Sequence, residues 1–218
     1  MDARLDTINA LFVETNGPYF DLEGVIPWDI NRDAKTCTNG FPAVAHPPCE
    51  RWGRYWGGGP SASYKRTLGD DAQCFAFALW YVRAFGGVIE HPEASHAFKF
   101  YGLAKPPKSG GWIKADDYGG WACCVEQGNY GHPARKATWL YANKTDLPEL
   151  IWGASQNKTR IDPGFRTKEE GRAARLSPNY VPIKRISARE RLETPAPFKE
   201  LLISIVRTTR SPAPHLKN

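Results

Sequence analysis

The sequence predicts an α/β protein built on a mostly parallel sheet, shortened in its N-terminal half and carrying an antiparallel hairpin late in the chain. Three observations predict it. Residues Phe41 to Glu90 read as strand, loop, helix, strand, a unit that is almost always parallel and right-handed. Two strand-like runs, Gly119 to Gln127 and Lys136 to Ala142, flank the turn-forming Gly128-Asn129-Tyr130-Gly131-His132-Pro133. Phe198 to Arg207 has amphipathic helical spacing behind Pro195 and Pro197, which supplies a helix to close over a sheet.

The elements follow in order. Ile8 to Glu14 reads as the first strand, broken by Asn16-Gly17-Pro18. Gly24 to Trp28 reads as the second, ending at Asp29, and Phe41 to His46 as the third. The third ends at Pro47-Pro48-Cys49, where two prolines stiffen the backbone just before a thiol. The Gly- and aromatic-rich stretch from Glu50 to Gly59 suits a loop that moves over that thiol. Gly69-Asp70-Asp71 offers an N-cap and an acidic first turn to a helix over Ala72 to Phe85. That helix is apolar nearly all round, so it is expected against the sheet. Gly86-Gly87 ends it, Val88-Ile89-Glu90 forms the next strand, and His91-Pro92 stops that strand. Asn143 to Arg191 holds eleven Lys/Arg against six Asp/Glu with Gly and Pro breaks, and reads as a poorly structured basic excursion. The expected organisation is a main domain over 1–142, the excursion over 143–191, a closing helix packed back on the domain within 192–210, and a disordered tail over 211–218.

A chain of 218 residues suits one α/β domain with an appendage. The net charge of +6 favours an anionic partner, and nucleic acid is the commonest one. Eight Trp and nine Tyr serve as core or as stacking platforms for bases. The five cysteines contain no CxxC pair, which excludes a disulfide framework or zinc ribbon as the organising device. Cys123-Cys124 fall in a strand and read as core, while Cys37 and Cys74 carry no signal. The N-terminal residues lack a charged-then-apolar signal pattern, and no apolar run reaches the length of a membrane span. The expectation is an intracellular, reducing location, the cytoplasm of a bacterial host cell, with no membrane partner.

In an open parallel sheet the working groups sit at the carboxyl ends of the strands. This places Cys49 and Glu90 on one rim, on neighbouring strands. A thiolate is a strong nucleophile when positive charge lowers its pKa, and Arg51 and Arg54 lie close enough in sequence to do so. A pyrimidine ring is electrophilic at C6. A carboxyl group that holds N3 and the 4-amino group relieves the charge built up by attack there. The adduct is nucleophilic at C5. A Cys and a Glu at adjacent strand ends therefore suit pyrimidine C5 chemistry, and in duplex DNA the base must first leave the stack.

The ordered series Pro47-Pro48-Cys49, Val88-Ile89-Glu90-His91-Pro92 and Tyr130-Gly131-His132-Pro133-Ala134-Arg135-Lys136 resembles the motifs of DNA cytosine-5 methyltransferases: a Pro-Cys loop, a Glu-Asn-Val motif and a Tyr-Gly-x-Pro-Gln-x-Arg-x-Arg motif. The resemblance covers residues 25 to 142. It implies a Rossmann-like, methyltransferase-type sheet with a catalytic domain over 1–142, and the excursion in the place of the target-recognition region. It implies Cys49 as nucleophile, Glu90 as the acid that holds cytosine, and Lys136 in place of the first motif arginine, with Arg51 adding positive charge. It implies S-adenosylmethionine as methyl donor, held by Glu14, Asn16, Gly17, Asp29 and Pro47, with Asp33 a further acidic contact. The family's Phe-x-Gly-x-Gly loop is replaced here by Glu14-Thr15-Asn16-Gly17-Pro18-Tyr19-Phe20, and His91, Ala134 and Thr138 stand where its motifs have Asn, Gln and the second Arg. The whole chain is similar to short proteins of phages and prophages that share His-Pro-Pro-Cys, Glu-His-Pro and Lys-x-Thr-Trp.

DNA contacts are expected from Arg54, Lys65, Arg66 and Arg135, from Trp52, Tyr55 and Trp56 stacking on an extruded base, and from salt-sensitive attraction by the basic excursion. Two other readings compete. His46, Cys49, His91 and His132 form a candidate ligand set for a metal-dependent base- or nucleotide-modifying enzyme, although the leading reading expects no metal. A chain with a decayed cofactor loop also suits a non-catalytic DNA-binding decoy that blocks host restriction.

Overall fold

A computed structural model describes residues 7–58, 66–159, 161, 168–179 and 186–210. Lys65 and the tail over 211–218, both subjects of the expectations above, lie outside the described residues. The described chain is α/β around one seven-stranded, curled sheet. Its strands are β1 (Ile8–Leu11), β2 (Val25–Trp28), β3 (Ala43–Ala45), β4 (Gly87–Pro92), β5 (Ile113–Lys114), β6 (Trp121–Glu126) and β7 (Ala137–Asn143). The helices are α1 (Cys74–Phe85), α2 (His96–Phe100), α3 (Lys168–Leu176), α4 (Ala188–Leu192) and α5 (Ala196–Arg207).

The strand order is β2-β1-β3-β4-β7-β6-β5. The β1–β2, β1–β3 and β3–β4 pairs are parallel, whereas β4–β7, β6–β7 and β5–β6 are antiparallel. By pairing, the sheet is mixed rather than mostly parallel. The reason lies in the late connections. Short turns join β5 to β6 and β6 to β7, and only antiparallel neighbours accept so short a link. The hairpin expected between Gly119 and Ala142 is present as β6–β7.

Strand alternation builds two cores. Ala43, Ala45, Ile89, Cys124, Trp139 and Tyr141 face α1 and α2, while Val44, Val88, Cys123, Leu140 and Ala142 face α5. Cys123 and Cys124 are thus both core, one on each side of the sheet. The α5 helix buries Phe198, Leu202, Ile205 and Val206 against β3 and β4, as its amphipathic spacing predicts.

Three local expectations are corrected. The α1 helix is one-sided, burying Phe75, Ala78, Leu79, Tyr81 and Val82 but leaving Trp80 half exposed. It also starts later than expected, because Ala72 and Gln73 take positive φ (53° and 64°) and break any helix over them. Asp71 still serves the first turn from outside it, since its Oδ2 accepts from the Phe75 amide at 2.9 Å. The β4 strand runs through His91-Pro92 instead of stopping there, because β7 pairs with it as far as Pro92↔Thr138. Gly87, which opens β4, is required. Its φ is +129°, and a Cβ there would lie 2.0 Å from the Ala43 carbonyl oxygen of the paired strand.

Candidate active site

The β3–β4 register sets the site. Ala45 lies opposite Ile89, so one residue further His46 lies beside Glu90, both on the α5 face with Val44 and Val88. His46 Nδ1 and Glu90 Oε2 are 3.1 Å apart, and His46 Nε2 and the Tyr19 hydroxyl are 2.8 Å apart. An ionised carboxylate only accepts, so His46 Nδ1 carries a proton and donates to Glu90. Tyr19 is buried, and burial together with the Glu90 charge pushes its phenol far up, which keeps it protonated. The other Glu90 oxygen accepts from Gln127 Nε2 at 3.1 Å, and the same Gln127 nitrogen lies 2.9 Å from Thr138 Oγ1. Burial alone would raise the Glu90 pKa. The hydrogen bond and charge of His46, with Lys136 and His91 nearby, outweigh it and hold the carboxyl below its usual range.

Cys49 follows β3 by one rigid step. Its carbonyl accepts from Trp52 N (3.0 Å) and Gly53 N (2.8 Å), so the chain folds into a tight turn behind the thiol. The thiol is partly buried and feels both Glu90 and Lys136. Burial and then the Glu90 charge raise its pKa, and its own backbone N–H and Lys136 offset only part of that rise. The expected activation by Arg51 and Arg54 is therefore not what the turn provides. Arg51 pairs with Glu50 at 3.6 Å, and Arg54 stands on the wall of a separate cleft. Lys136, the first residue before β7, supplies the cation instead. Burial lowers its own pKa against the pull of Glu90, Cys49 and Glu193, and its Nζ donates to the Glu193 carbonyl at 2.9 Å.

The other expected residues are placed as follows. Trp52 is buried in the core and stacks on no surface base. Its Nε1 donates to Asp71 Oδ2 at 2.8 Å, and its ring packs among Phe75, Phe100 and Tyr101. Tyr55 is 49% exposed, and Trp56 is half-buried. Arg66 donates to Glu50 at 3.1 Å. Arg135 donates through Nε to the Asn157 carbonyl at 2.9 Å and lines the cleft. Pro47 is buried behind Cys49, and its backbone, with that of Pro48, faces the His91 ring. Asp33 caps the turn of 3-10 helix at Ala34–Thr36 through the Lys35 amide (3.0 Å).

The candidate metal ligands do not converge. His46 is held between Tyr19 and Glu90. His132 is buried between the Ala134 and Glu190 carbonyls, at 2.8 and 3.1 Å. His91 is fully buried edge-on to Phe75, with neither ring nitrogen hydrogen-bonded, and burial lowers its pKa to about 4. Among the described residues no group of three His, Cys, Asp or Glu is placed to hold a metal ion.

The residues implied for S-adenosylmethionine do not fit that role. The Asp29 carboxylate has roughly four acceptor positions. They are filled by the Thr15 hydroxyl (2.5 Å), the Asn31 amide (3.0 Å), the Asn31 side chain (3.2 Å) and the Arg32 amide (2.9 Å). Thr15 thereby ties the loop after β1 to the end of β2. That loop also closes on itself. Gly17 N donates to the Glu14 carbonyl at 2.9 Å, and a Cβ on Gly17 would lie 2.7 Å from the same oxygen. Glu14 and Asn16 are exposed, and Asn16 has φ +55°.

Reading the sequence missed Tyr19, Gln127 and Thr138 as parts of the site. It offered His46 as a metal ligand, or else as a hydrogen-bonded support, without its partners Tyr19 and Glu90. The available signal was the parallel register, which sets residue 46 beside residue 90. No protein-family model, curated protein or solved structure matches the chain.

Proposed function

We propose that this protein acts on a pyrimidine base of DNA, cytosine foremost, by covalent addition of Cys49 to ring carbon 6. The supporting observation is the meeting of three groups at one rim: the thiol after β3, an ionised Glu90 on β4, and Lys136 at the start of β7. The parallel β3–α1–β4 unit followed by an antiparallel β7 also supports an abbreviated, methyltransferase-type Rossmann-like sheet. The net charge of +6 favours a polyanionic substrate.

The resting thiol is neutral, so attack begins with loss of the Cys49 proton. The sulfur then bonds to C6 while the proton lost by Cys49 passes through the Glu90 carboxylate to N3, so the C5–C6 π pair moves onto C5 through the conjugated ring and N3 stands as N–H against the ionised Glu90. Lys136 balances the charge of the carboxylate. His46, oriented by Tyr19, and Gln127 fix the two Glu90 oxygens. C5 next takes an electrophile and loses its original hydrogen, and the S–C6 bond breaks as the ring double bond re-forms. S-adenosylmethionine, where bound, would supply a methyl group as that electrophile. The residues expected to hold it do not form its cradle.

A solvent proton is also an electrophile. The adduct therefore exchanges the C5 hydrogen with solvent, with or without a donor. The expected result is deuterium uptake at cytosine C5 in an oligonucleotide incubated in heavy water with wild-type protein, and none with Cys49→Ser. Glu90→Gln should slow exchange by about 10²–10⁴-fold. Equal exchange with wild type and Cys49→Ser overturns the proposal. Mass spectrometry of nucleosides from DNA of expressing cells then identifies the group transferred. The raised Cys49 pKa favours one second reading, a DNA-binding module without chemistry, in which Cys49→Ser leaves every function intact.

A further inference from the structure

Strand alternation sends Glu90 and His91 to opposite faces of β4, Glu90 to the α5 side with Val88 and His91 to the α1 side with Ile89. His91 is fully buried, and its ring stands edge-on to Phe75 with centroids 5.1 Å apart. Burial keeps the imidazole neutral, so it carries one N–H and one bare nitrogen. Neither nitrogen has a hydrogen-bond partner. A buried donor without an acceptor is unfavourable, and a leucine in the same place would carry no such penalty. No step of the chemistry at the rim uses this ring.

What faces the ring is the back of the nucleophile's turn, Pro47 and Pro48. Proline has no N–H, so the polar backbone atom each turns to the ring is a carbonyl oxygen. The Pro48 carbonyl belongs to the same peptide unit as the Cys49 N–H. That unit is trans and planar, so the two groups point in opposite directions. A Pro48 carbonyl turned inward to His91 therefore turns the Cys49 N–H outward, to the side of the thiol. Burial and then the Glu90 charge disfavour the thiolate, and this N–H is foremost among the groups that oppose them. A hydrogen bond accepted by a carbonyl polarises the N–H of its own peptide, so the two interactions strengthen each other.

We infer that His91 is a positioning residue for the nucleophile: as the thiolate forms, its ring N–H closes a hydrogen bond on the Pro48 carbonyl and so holds the Cys49 N–H on the sulfur. The ring keeps its proton throughout. His91 touches no substrate and acts through the Pro48–Cys49 peptide. This rests on the proposed function only in taking the Cys49 thiolate as the reacting group.

Alkylation of Cys49 across pH, resolved by peptide mapping, tests it without DNA. Glu90 and Asp71 act on His91, and Glu90, Lys136 and Glu50 act on Cys49. A neutral replacement of a neutral ring leaves these charges in place. His91→Leu should raise the midpoint by about 0.4–1 pH unit and slow alkylation below it by about 2- to 10-fold, the worth of one hydrogen bond. An amide restores a donor. His91→Asn sets its nitrogen near the place of Nδ1 and His91→Gln near that of Nε2, and the one that meets Pro48 should return the midpoint to the wild-type value. At saturating oligonucleotide, His91→Leu should slow deuterium exchange at cytosine C5 by the same factor and leave the half-saturating concentration unchanged. A wild-type midpoint in His91→Leu, or rescue by neither amide, overturns the inference. Nuclear magnetic resonance of wild-type protein with isotope-labelled histidine needs no substitution at 91. The His91 ring N–H, assigned by its contacts with Phe75, should move downfield as pH passes the Cys49 midpoint, and a resonance that stays fixed overturns the inference. Deuterium exchange that fails while the His91→Leu midpoint still shifts sinks the chemistry alone. Exchange that is equal in wild type and His91→Leu, with an unshifted midpoint, sinks the positioning role alone.

Discussion

At residue 49 two charges of opposite sign act on one thiol. Glu90 raises its pKa, Lys136 lowers it, and burial tips the balance upward. The sign of each contribution is testable. Alkylation of Cys49, followed by peptide mapping so that the other four cysteines are resolved, should accelerate as pH rises past the ordinary thiol range. Glu90→Gln removes a charge that disfavours the thiolate and should move the midpoint down. Lys136→Met should move it up. A midpoint that stays fixed in both variants means that these groups are too far away to matter, and the proposed chemistry fails with them. The nearness of Cys49 to Glu90 was legible from the Pro-Pro-Cys turn and the strand–helix–strand pattern. The source of positive charge was legible only in part, since Lys136 was expected alongside Arg51 and Arg54. Arg51 and Arg54 are neighbours of Cys49 in sequence, but Arg51 turns to Glu50 and Arg54 to the cleft wall, while Lys136 arrives from β7.

Among the elements, the turn-rich stretch after Cys49 divides between anchor and surface at neighbouring aromatics. Trp52 is 1% exposed and ties this stretch to the start of α1 through Asp71, which also caps Phe75. Tyr55 stands half exposed three residues on. Trp52→Ala should therefore cost about 3–5 kcal/mol of unfolding free energy in urea, the range for emptying a large buried site. Tyr55→Ala should change it by no more than about 0.5 kcal/mol, as surface substitutions do. Equal costs for the two would mean that Trp52 does not anchor the stretch. Composition cannot distinguish these rings, because Trp52 and Trp56 share a Gly-rich context and only the position of the α1 start decides which one finds a core. The strands were legible from alternation and from the glycines around them. The short β5 and α2 were not, since two to five residues carry too little pattern to stand out.

For the molecule as a whole, the buried His91 links stability to pH. Its folded pKa is about 4, against an ordinary value of 6.5, because burial disfavours the imidazolium. Between those values the unfolded chain binds more protons than the folded one. Stability is therefore complete above about pH 6.5 and declines as pH falls toward 4, by up to roughly 3 kcal/mol. The depressed carboxyl of Glu90 adds a loss only at lower pH, below its unfolded value near 4.5. Urea unfolding at pH 7, 5.5 and 4.5 should show the decline in wild type and a flatter profile for His91→Leu. The same profile in both sinks the assignment. The comparatively low apolar content, 41%, still builds two cores, because alternation along each strand feeds both faces of the sheet. Among the described residues no helix is long and apolar enough to cross a membrane, in keeping with the short apolar runs. The sequence by itself determined the strand and helix pattern of the middle of the chain, the late hairpin, the closing helix, and the placing of a cysteine near a glutamate at one rim. Each follows from local periodicity, backbone-restricting residues or a short connection. Only the tertiary structure decided that the sheet is mixed, that His46 and Gln127 hold Glu90 while Tyr19 holds His46, and that Lys136, rather than Arg51 or Arg54, is the cation that reaches the thiol. These depend on strand order and register, which bring together residues far apart in the chain and whose energies no local stretch contains.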